Sequence, residues 1–170
     1  RWERSRWGGV ELADKVLGVL GFGRIGRQVA RRALALEMKV VAYDPFVSAE
    51  RFRELGVEPA TFGEVLERAE FLTLHLPLTD DTRNAIDADT IAHMRDGVRI
   101  VNAARGELVD EPALIAALES GKVAGAAIAA IVVGGLREGE VVLRVGLGVL
   151  HLARLLHLEP LLGRTARLQL

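Results

Sequence analysis

Apolar residues alternate along this chain between two rhythms. Short uninterrupted runs, closed by glycine, proline or an acid, are separated by stretches whose apolar residues recur every three or four positions. Short β-branched runs read as buried strands, and the wider spacing reads as helices. Val16 to Leu20 predicts a first strand, and Ile25, Val29, Ala33 and Leu36 predict the apolar stripe of the helix after it. Val40 to Tyr43 predicts a second strand, stopped by Pro45. Ser48 can cap a helix through about Leu55, ended by Gly56, with Val57 and Glu58 as a short third strand. Thr61 and Glu64 form a T-x-x-E capping box for a helix to Ala69.

The second half repeats the alternation. Phe71 to His75 predicts a fourth strand closed by Pro77, and a polar loop runs from Leu78 to Asn84. Asp87 or Asp89 starts a short helix reaching Met94, and Val98 to Asn102 is a fifth strand. Asp110 caps a helix with Pro112 in its first turn and Gly121 at its end; Val123 to Ala130 is a sixth strand. Strands alternating with helices imply right-handed βαβ units, hence an α/β fold with a doubly wound parallel sheet and helices on both faces.

Composition narrows the setting. A chain of 170 residues is long enough for one domain with a real core, and 50% hydrophobic with 26% charged residues is ordinary for a globular protein. The net charge of −1 makes no electrostatic case for nucleic acid or an anionic membrane. No uninterrupted apolar stretch reaches membrane-spanning length. Cysteine is absent, which excludes disulfides and thiolate metal sites and fits a cytoplasmic setting. Residues 1 to 14, with Trp2 and Trp7, read as a lead-in from something earlier, and the tryptophans as packing anchors.

The chemistry starts where the first strand ends. Gly21-Phe22-Gly23-Arg24-Ile25-Gly26 fits G-x-G-x-x-G between a strand and a helix. Gly21 permits the tight turn, Gly23 lets backbone approach a pyrophosphate, and Gly26 lets helix and strand pack closely. The free amides and positive dipole end of the helix would face the phosphates. Asp44 follows Gly26 by 18 residues, where a ribose-binding carboxylate belongs. Only Pro45 and Phe46 come next, with no arginine to take a 2′-phosphate, so NAD is favoured over NADP. These features predict a Rossmann-type dinucleotide site.

In an open parallel sheet, ligands bind beyond the carboxyl ends of the strands. Those ends are Gly21 to Gly26, Asp44, His75-Leu76-Pro77 and Asn102 to Arg105. The Arg105 fork suits a substrate carboxylate or the nicotinamide carboxamide; the alternative is a surface pair with Glu107 or Asp110. His75 reads either as a cofactor-side residue or as a satisfied structural histidine. Arg27, Arg31 and Arg32 read as the solvated face of the first helix.

The stretches W-E-R-S-R-W-G-G-V-E-L, G-F-G-R-I-G, A-Y-D-P, T-L-H-L-P-L-T, M-R-D-G-V-R-I-V-N-A-A-R-G-E-L-V-D-E and G-K-V-A-G-A-A resemble the D-isomer-specific 2-hydroxyacid dehydrogenases. The resemblance, strongest to the phosphoglycerate-type branch, covers about residues 1 to 128. It implies that Arg24 and Ile25 lie on the pyrophosphate and Asp44 on the ribose. It further implies that Leu76, Ala103 and Ala104 line the cofactor groove, with Arg105 the catalytic arginine holding a 2-hydroxy or 2-keto acid by its carboxylate.

Beyond that stretch the resemblance fails. The family continues A-L-D-V-F, a glutamate, and a later strand ending in P-H-L-G-A, whose histidine is the general acid/base. Here Ala129, Gly134 and Gly146 occupy the aspartate, glutamate and histidine positions, and the intervening loop is several residues short. Val149 to Leu158 is leucine-rich; His151, Arg154 and His157 lack the spacing of a helical metal pair and read as polar tips. The expected organisation is a lead-in over 1–14, an NAD-binding domain over 15–146 and a divergent helix and tail over 147–170, paired as a homodimer. The rivals are a non-catalytic NAD-sensing module and a designed structural domain.

Overall fold

The computed structural model describes residues 9–128. Val16–Leu20 forms β1, and its two faces bury different side chains. Leu17 and Val19 face one layer and Leu20 the other, the period-two alternation of a strand covered on both sides. The remaining strands are β2 (Lys39–Tyr43), β3 (Glu58–Pro59), β4 (Phe71–Leu74), β5 (Val98–Asn102) and β6 (Val123–Ile128). All pair in parallel, in the order β3-β2-β1-β4-β5-β6. The direction of winding reverses between β1 and β4, and a ligand crevice opens at such a reversal.

Helices cover both faces: α1 (Arg24–Ala35), α2 (Ala49–Arg53), α3 (Phe62–Arg68), α4 (Ala88–His93) and α5 (Glu111–Ser120). Val29, Ala30 and Ala33 of α1 and Phe52 of α2 pack with Leu17, Val19, Val40 and Phe71 on one face. Val65 and Leu66 of α3, Ile91 of α4 and Leu114 of α5 pack with Leu20, Leu72, Leu74 and Ile100 on the other. Small residues bring the layers together. A side chain on Gly18, in the middle of β1, would meet the Ala69 and Val65 side chains of the α3 layer at 2.8 and 2.9 Å.

The caps follow the sequence reading with adjustments. Thr61 and Glu64 close their capping box, Asp87 rather than Asp89 caps α4, and Asp110 accepts the Ala113 amide at 3.0 Å. Gly121 ends α5 with φ of +81°, a conformation that favours glycine. Ser48 sits at the N-cap of α2 but makes no side-chain capping bond, and α2 stops at Arg53 rather than Leu55. The third strand lies one residue later than expected, because Glu58 and Pro59 are the residues in register with Val41 and Ala42. The fourth strand ends at Leu74, one residue short of His75.

Ile25 corrects the predicted stripe of α1. It is 60% exposed, and the buried positions are Gly26, Val29, Ala30 and Ala33. In the same turn it is Gly26 that faces the sheet, where a Cβ would lie 3.4 Å from the Val19 side chain of β1. The predicted last residues of the sixth strand (129–130), Trp2, Trp7, Ala129, Gly134, Gly146 and the stretch 149–158 lie outside the described residues. No helix among the described residues is long and apolar enough to cross a membrane.

Candidate dinucleotide site

Four strand ends stand in one row. Tyr43 of β2 is in register with Leu20 of β1, Leu20 with Leu74 of β4, and Leu74 with Asn102 of β5. The residues that follow are Asp44, Gly21, His75 and Ala103, so the sheet brings every loop singled out in the sequence to one edge. Backbone bonds join the row: Gly21 donates to the Tyr43 carbonyl at 2.8 Å, and His75 donates to the Leu20 carbonyl at 2.7 Å.

The three glycines have three different surroundings. Gly21 has φ of +92°, and a Cβ there would sit 2.6 Å from the His75 carbonyl oxygen. A Cβ on Gly26 would collide with the Gly21 carbonyl oxygen. The turn and the start of α1 are therefore closed on themselves and on β4. Gly23 has ordinary extended backbone (φ −70°) and nothing within 4 Å of a Cβ position. It is exposed, at the N-cap of α1, where the amides of the first helical turn have no intrahelical acceptor. Arg24 and Ile25 beside it are exposed as well, and Phe22 is fully buried and stacked on Phe52 at 4.4 Å.

Asp44 is bonded into the turn. One carboxylate oxygen accepts the Phe22 amide at 2.8 Å and the other accepts the Phe46 amide at 2.9 Å. It thereby fastens the end of β2 to the glycine turn and orders the residues after Pro45. The carboxylate also forms one wall of an open depression completed by Tyr43, Phe52, Ala60 and Thr61.

His75 is half-buried, and its ring nitrogen Nε2 lies 3.0 Å from the hydroxyl of fully buried Thr73. Burial lowers its pKa from the usual 6.5 to about 4, so the ring is neutral at physiological pH. Leu76 packs into the core, and its backbone rather than its side chain faces the Gly21 turn. Pro77 is exposed.

On the far side of the crevice, Ala103 and Ala104 are half-buried and Arg105 is exposed. Arg105 Nη1 donates to the Ala104 carbonyl at 2.9 Å, and among the described residues it forms no ion pair with Glu107 or Asp110. A single turn of 3-10 helix, Gly106–Leu108, follows, and a parallel bridge between Ile86 and Val109 ties its far end down. Asn102 closes the predicted fifth strand, and its spacing alone assigns it no role. It is fully buried, and both ends of its amide are bonded to the loop. A polar residue closing the apolar run Val98 to Val101 was the available signal, because a buried amide requires partners.

A parallel sheet with a glycine turn at its reversal, a helix rising from that turn and a carboxylate at the next strand end defines a nucleotide-binding α/β domain. The chain belongs to the D-isomer specific 2-hydroxyacid dehydrogenase family: residues 1–131 match its NAD binding domain. It is 49% identical over 127 residues to a D-3-phosphoglycerate dehydrogenase of Bacillus subtilis and 48% identical over 128 residues to one of Archaeoglobus fulgidus. Each match takes in 75% of this chain and 24% of the relative, so the chain spans about a quarter of those relatives' length.

Solved structures agree in fold. D-lactate dehydrogenase with NAD+ from Lactobacillus jensenii matches with a TM-score of 0.69 and 36% identity, over 76% of this chain and 40% of that one. A glyoxylate reductase from Paecilomyes thermophila matches at 0.69 and 40% identity, over 82% and 40%. NAD is the cofactor of this family's domain, and the residues present fit it. The open face at Gly23 leaves room for a pyrophosphate against backbone amides, and the Asp44 carboxylate stands at the ribose distance in sequence.

Proposed function

We propose that the chain is the cofactor domain of a phosphoglycerate-type dehydrogenase that oxidises a D-2-hydroxy acid, with 3-phosphoglycerate the first candidate. Its place would be L-serine biosynthesis in the cytoplasm, in a homodimeric full-length protein. The similarity to D-3-phosphoglycerate dehydrogenases supports the substrate class. The observation that carries the reading is the row of strand ends with Asp44 bonded to the Phe22 amide and Gly23 open beside it.

When bound, NAD supplies the hydride acceptor. The chain's own residues have narrower tasks. The α1 amides beside Gly23, with Arg24 and Ile25, receive the pyrophosphate, and Asp44 receives the adenosine ribose and repels a 2′-phosphate. Ala103 and Ala104 border the cofactor on the β5 side, with the His75–Pro77 backbone across the crevice. Arg105 holds the substrate carboxylate through its free guanidinium donors. His75, neutral and turned onto Thr73, serves as a spacer under the turn rather than as a proton donor.

Titration calorimetry with NADH and NADPH tests the cofactor assignment. NADH binds and NADPH binds more weakly; equal affinities reject Asp44 as the ribose carboxylate. A second reading, an NAD-binding module without chemistry, is favoured by Gly134 and Gly146 at the family's glutamate and histidine positions. General acid help is worth about 10²- to 10⁴-fold. The purified chain with NADH and 3-phosphohydroxypyruvate should therefore show no reduction above background. Turnover that survives removal of His75, His151 and His157 but disappears in Arg105→Ala would restore the enzymatic reading for the chain by itself.

A further inference from the structure

We propose that Asn102 is the positioning residue for Arg105, its amide setting the path of the loop from which the guanidinium projects. The inference rests on the reading of Arg105 as a carboxylate holder. Asn102 is the last residue of β5 and has no exposed surface, so its amide must be satisfied inside the protein. Oδ1 accepts the Ala104 amide at 3.0 Å, and Nδ2 donates to the Arg105 carbonyl at 2.7 Å. One side chain thus holds the backbone on both sides of the Ala104–Arg105 peptide.

Little else along this stretch can do the same. Ala103 and Ala104 have no polar side chains. The Leu108 amide also donates to the Arg105 carbonyl, but at 3.2 Å and from within the turn that follows. Within and just after that turn the chain is secured again, where Asn84 and Ile86 donate to the Glu107 and Leu108 carbonyls and Asp110 donates to the Ile86 carbonyl. The segment is therefore pinned at Asn102 and at residues 107–110, with Arg105 between the two anchors. Its guanidinium spends one donor on the Ala104 carbonyl, which Asn102 also positions through the neighbouring amide. Asp at 102 keeps the acceptor for Ala104 but turns a carboxylate oxygen toward the Arg105 carbonyl. Leu keeps the volume and loses both bonds.

Two measurements on the 170-residue chain test this. Limited trypsin digestion read by mass spectrometry follows cleavage between Arg105 and Gly106, with the exposed Arg95 as internal control. In Asn102→Asp and Asn102→Leu, cleavage at Arg105 should rise about tenfold relative to Arg95, the scale of one to two lost hydrogen bonds. Circular dichroism confirms folding, and Asn102→Asp carries the test if the leucine variant does not fold. In parallel, oxalate is titrated onto the NADH-saturated chain as a carboxylate probe. Its affinity should fall in Asn102→Asp toward that of Arg105→Ala, and the double variant should be no weaker than Arg105→Ala alone. Unchanged cleavage at Arg105, or losses that add in the double variant, overturns the role of Asn102. Equal oxalate binding by the parent and Arg105→Ala overturns the reading of Arg105 instead, and the cleavage result still decides Asn102.

Discussion

The two loops that face each other across the crevice are held in opposite ways. The glycine turn keeps its shape by close contact: Gly21 lies against the His75 carbonyl, Gly26 against the Gly21 carbonyl, and Phe22 is buried on Phe52. The loop after β5 is held around Arg105 chiefly by hydrogen bonds, from the buried amide of Asn102 and from the Leu108 backbone amide. The first loop tolerates no added atom at two of its glycines; the second requires one particular polar group. The closely packed turn leaves its outer face at Gly23 open, whereas the bonded loop leaves the Arg105 guanidinium one bond to the Ala104 carbonyl and its other donors for a ligand.

Breaking the packed loop should have the largest effect. In Gly26→Ala the new methyl meets a backbone carbonyl that cannot move aside, so stability should fall by about 3 kcal/mol or more. Urea denaturation measures it, and a loss within about 0.5 kcal/mol, typical of an exposed site, would show that the turn can yield. Gly23→Val, three residues away, separates ligand contact from fold. Its backbone is ordinary and its surroundings open, so the domain should fold normally. NADH affinity, read by calorimetry, should nonetheless drop about 100-fold, close to 2.7 kcal/mol. Retained affinity would mean that the pyrophosphate does not cross Gly23.

The support beneath the turn should respond to pH. The folded His75 has its pKa lowered to about 4, whereas the unfolded chain takes up the proton near 6.5. Stability from the neutral ring is therefore complete above pH 6.5 and is lost as pH falls from 6.5 toward 4. Linkage caps that loss at about 3 kcal/mol, and a half-buried ring should deliver about 1–2 kcal/mol. Comparing urea midpoints at pH 7.5 and 4.5 checks it: His75→Gln should remove this part of the slope, and an unaltered slope would place the titration elsewhere. The smallest effect is expected on the other loop's downstream anchor. Asp110→Ala removes the α5 cap and should cost about 1 kcal/mol in thermal unfolding while leaving NADH affinity unchanged. A large affinity loss there would show that the start of α5 supports the cofactor groove at Ala103 and Ala104.

Much of the site could be read before any folding. The strand, G-x-G-x-x-G, helix, strand and Asp44 are consecutive, and each is announced by local chemistry: β-branched runs, helical spacing, glycine where atoms must be missing. Capping at Thr61, Asp87 and Asp110 was legible for the same reason, because a cap and the amide it serves lie three residues apart. Where the reading missed, the deciding partner was remote in sequence. Ile25 keeps a helical period with Val29 and Ala33, yet in the first turn of α1 it is Gly26 that approaches β1. The third strand begins at Glu58 because β2 pairs there, a choice made across the sheet.

The sequence by itself determined the order of elements, the identity of the glycine turn, the ribose carboxylate candidate and the family, since all of these are patterns along one continuous backbone. Tertiary structure alone decided which strand ends become neighbours, and so which residues meet. It put the His75 carbonyl against Gly21, 54 positions apart, and thereby made that glycine indispensable. It buried His75 enough to keep it neutral, and it buried Asn102 so that its amide had to bond the Arg105 loop. Burial and close approach are sums over neighbours from the whole chain, and no window of sequence contains those neighbours.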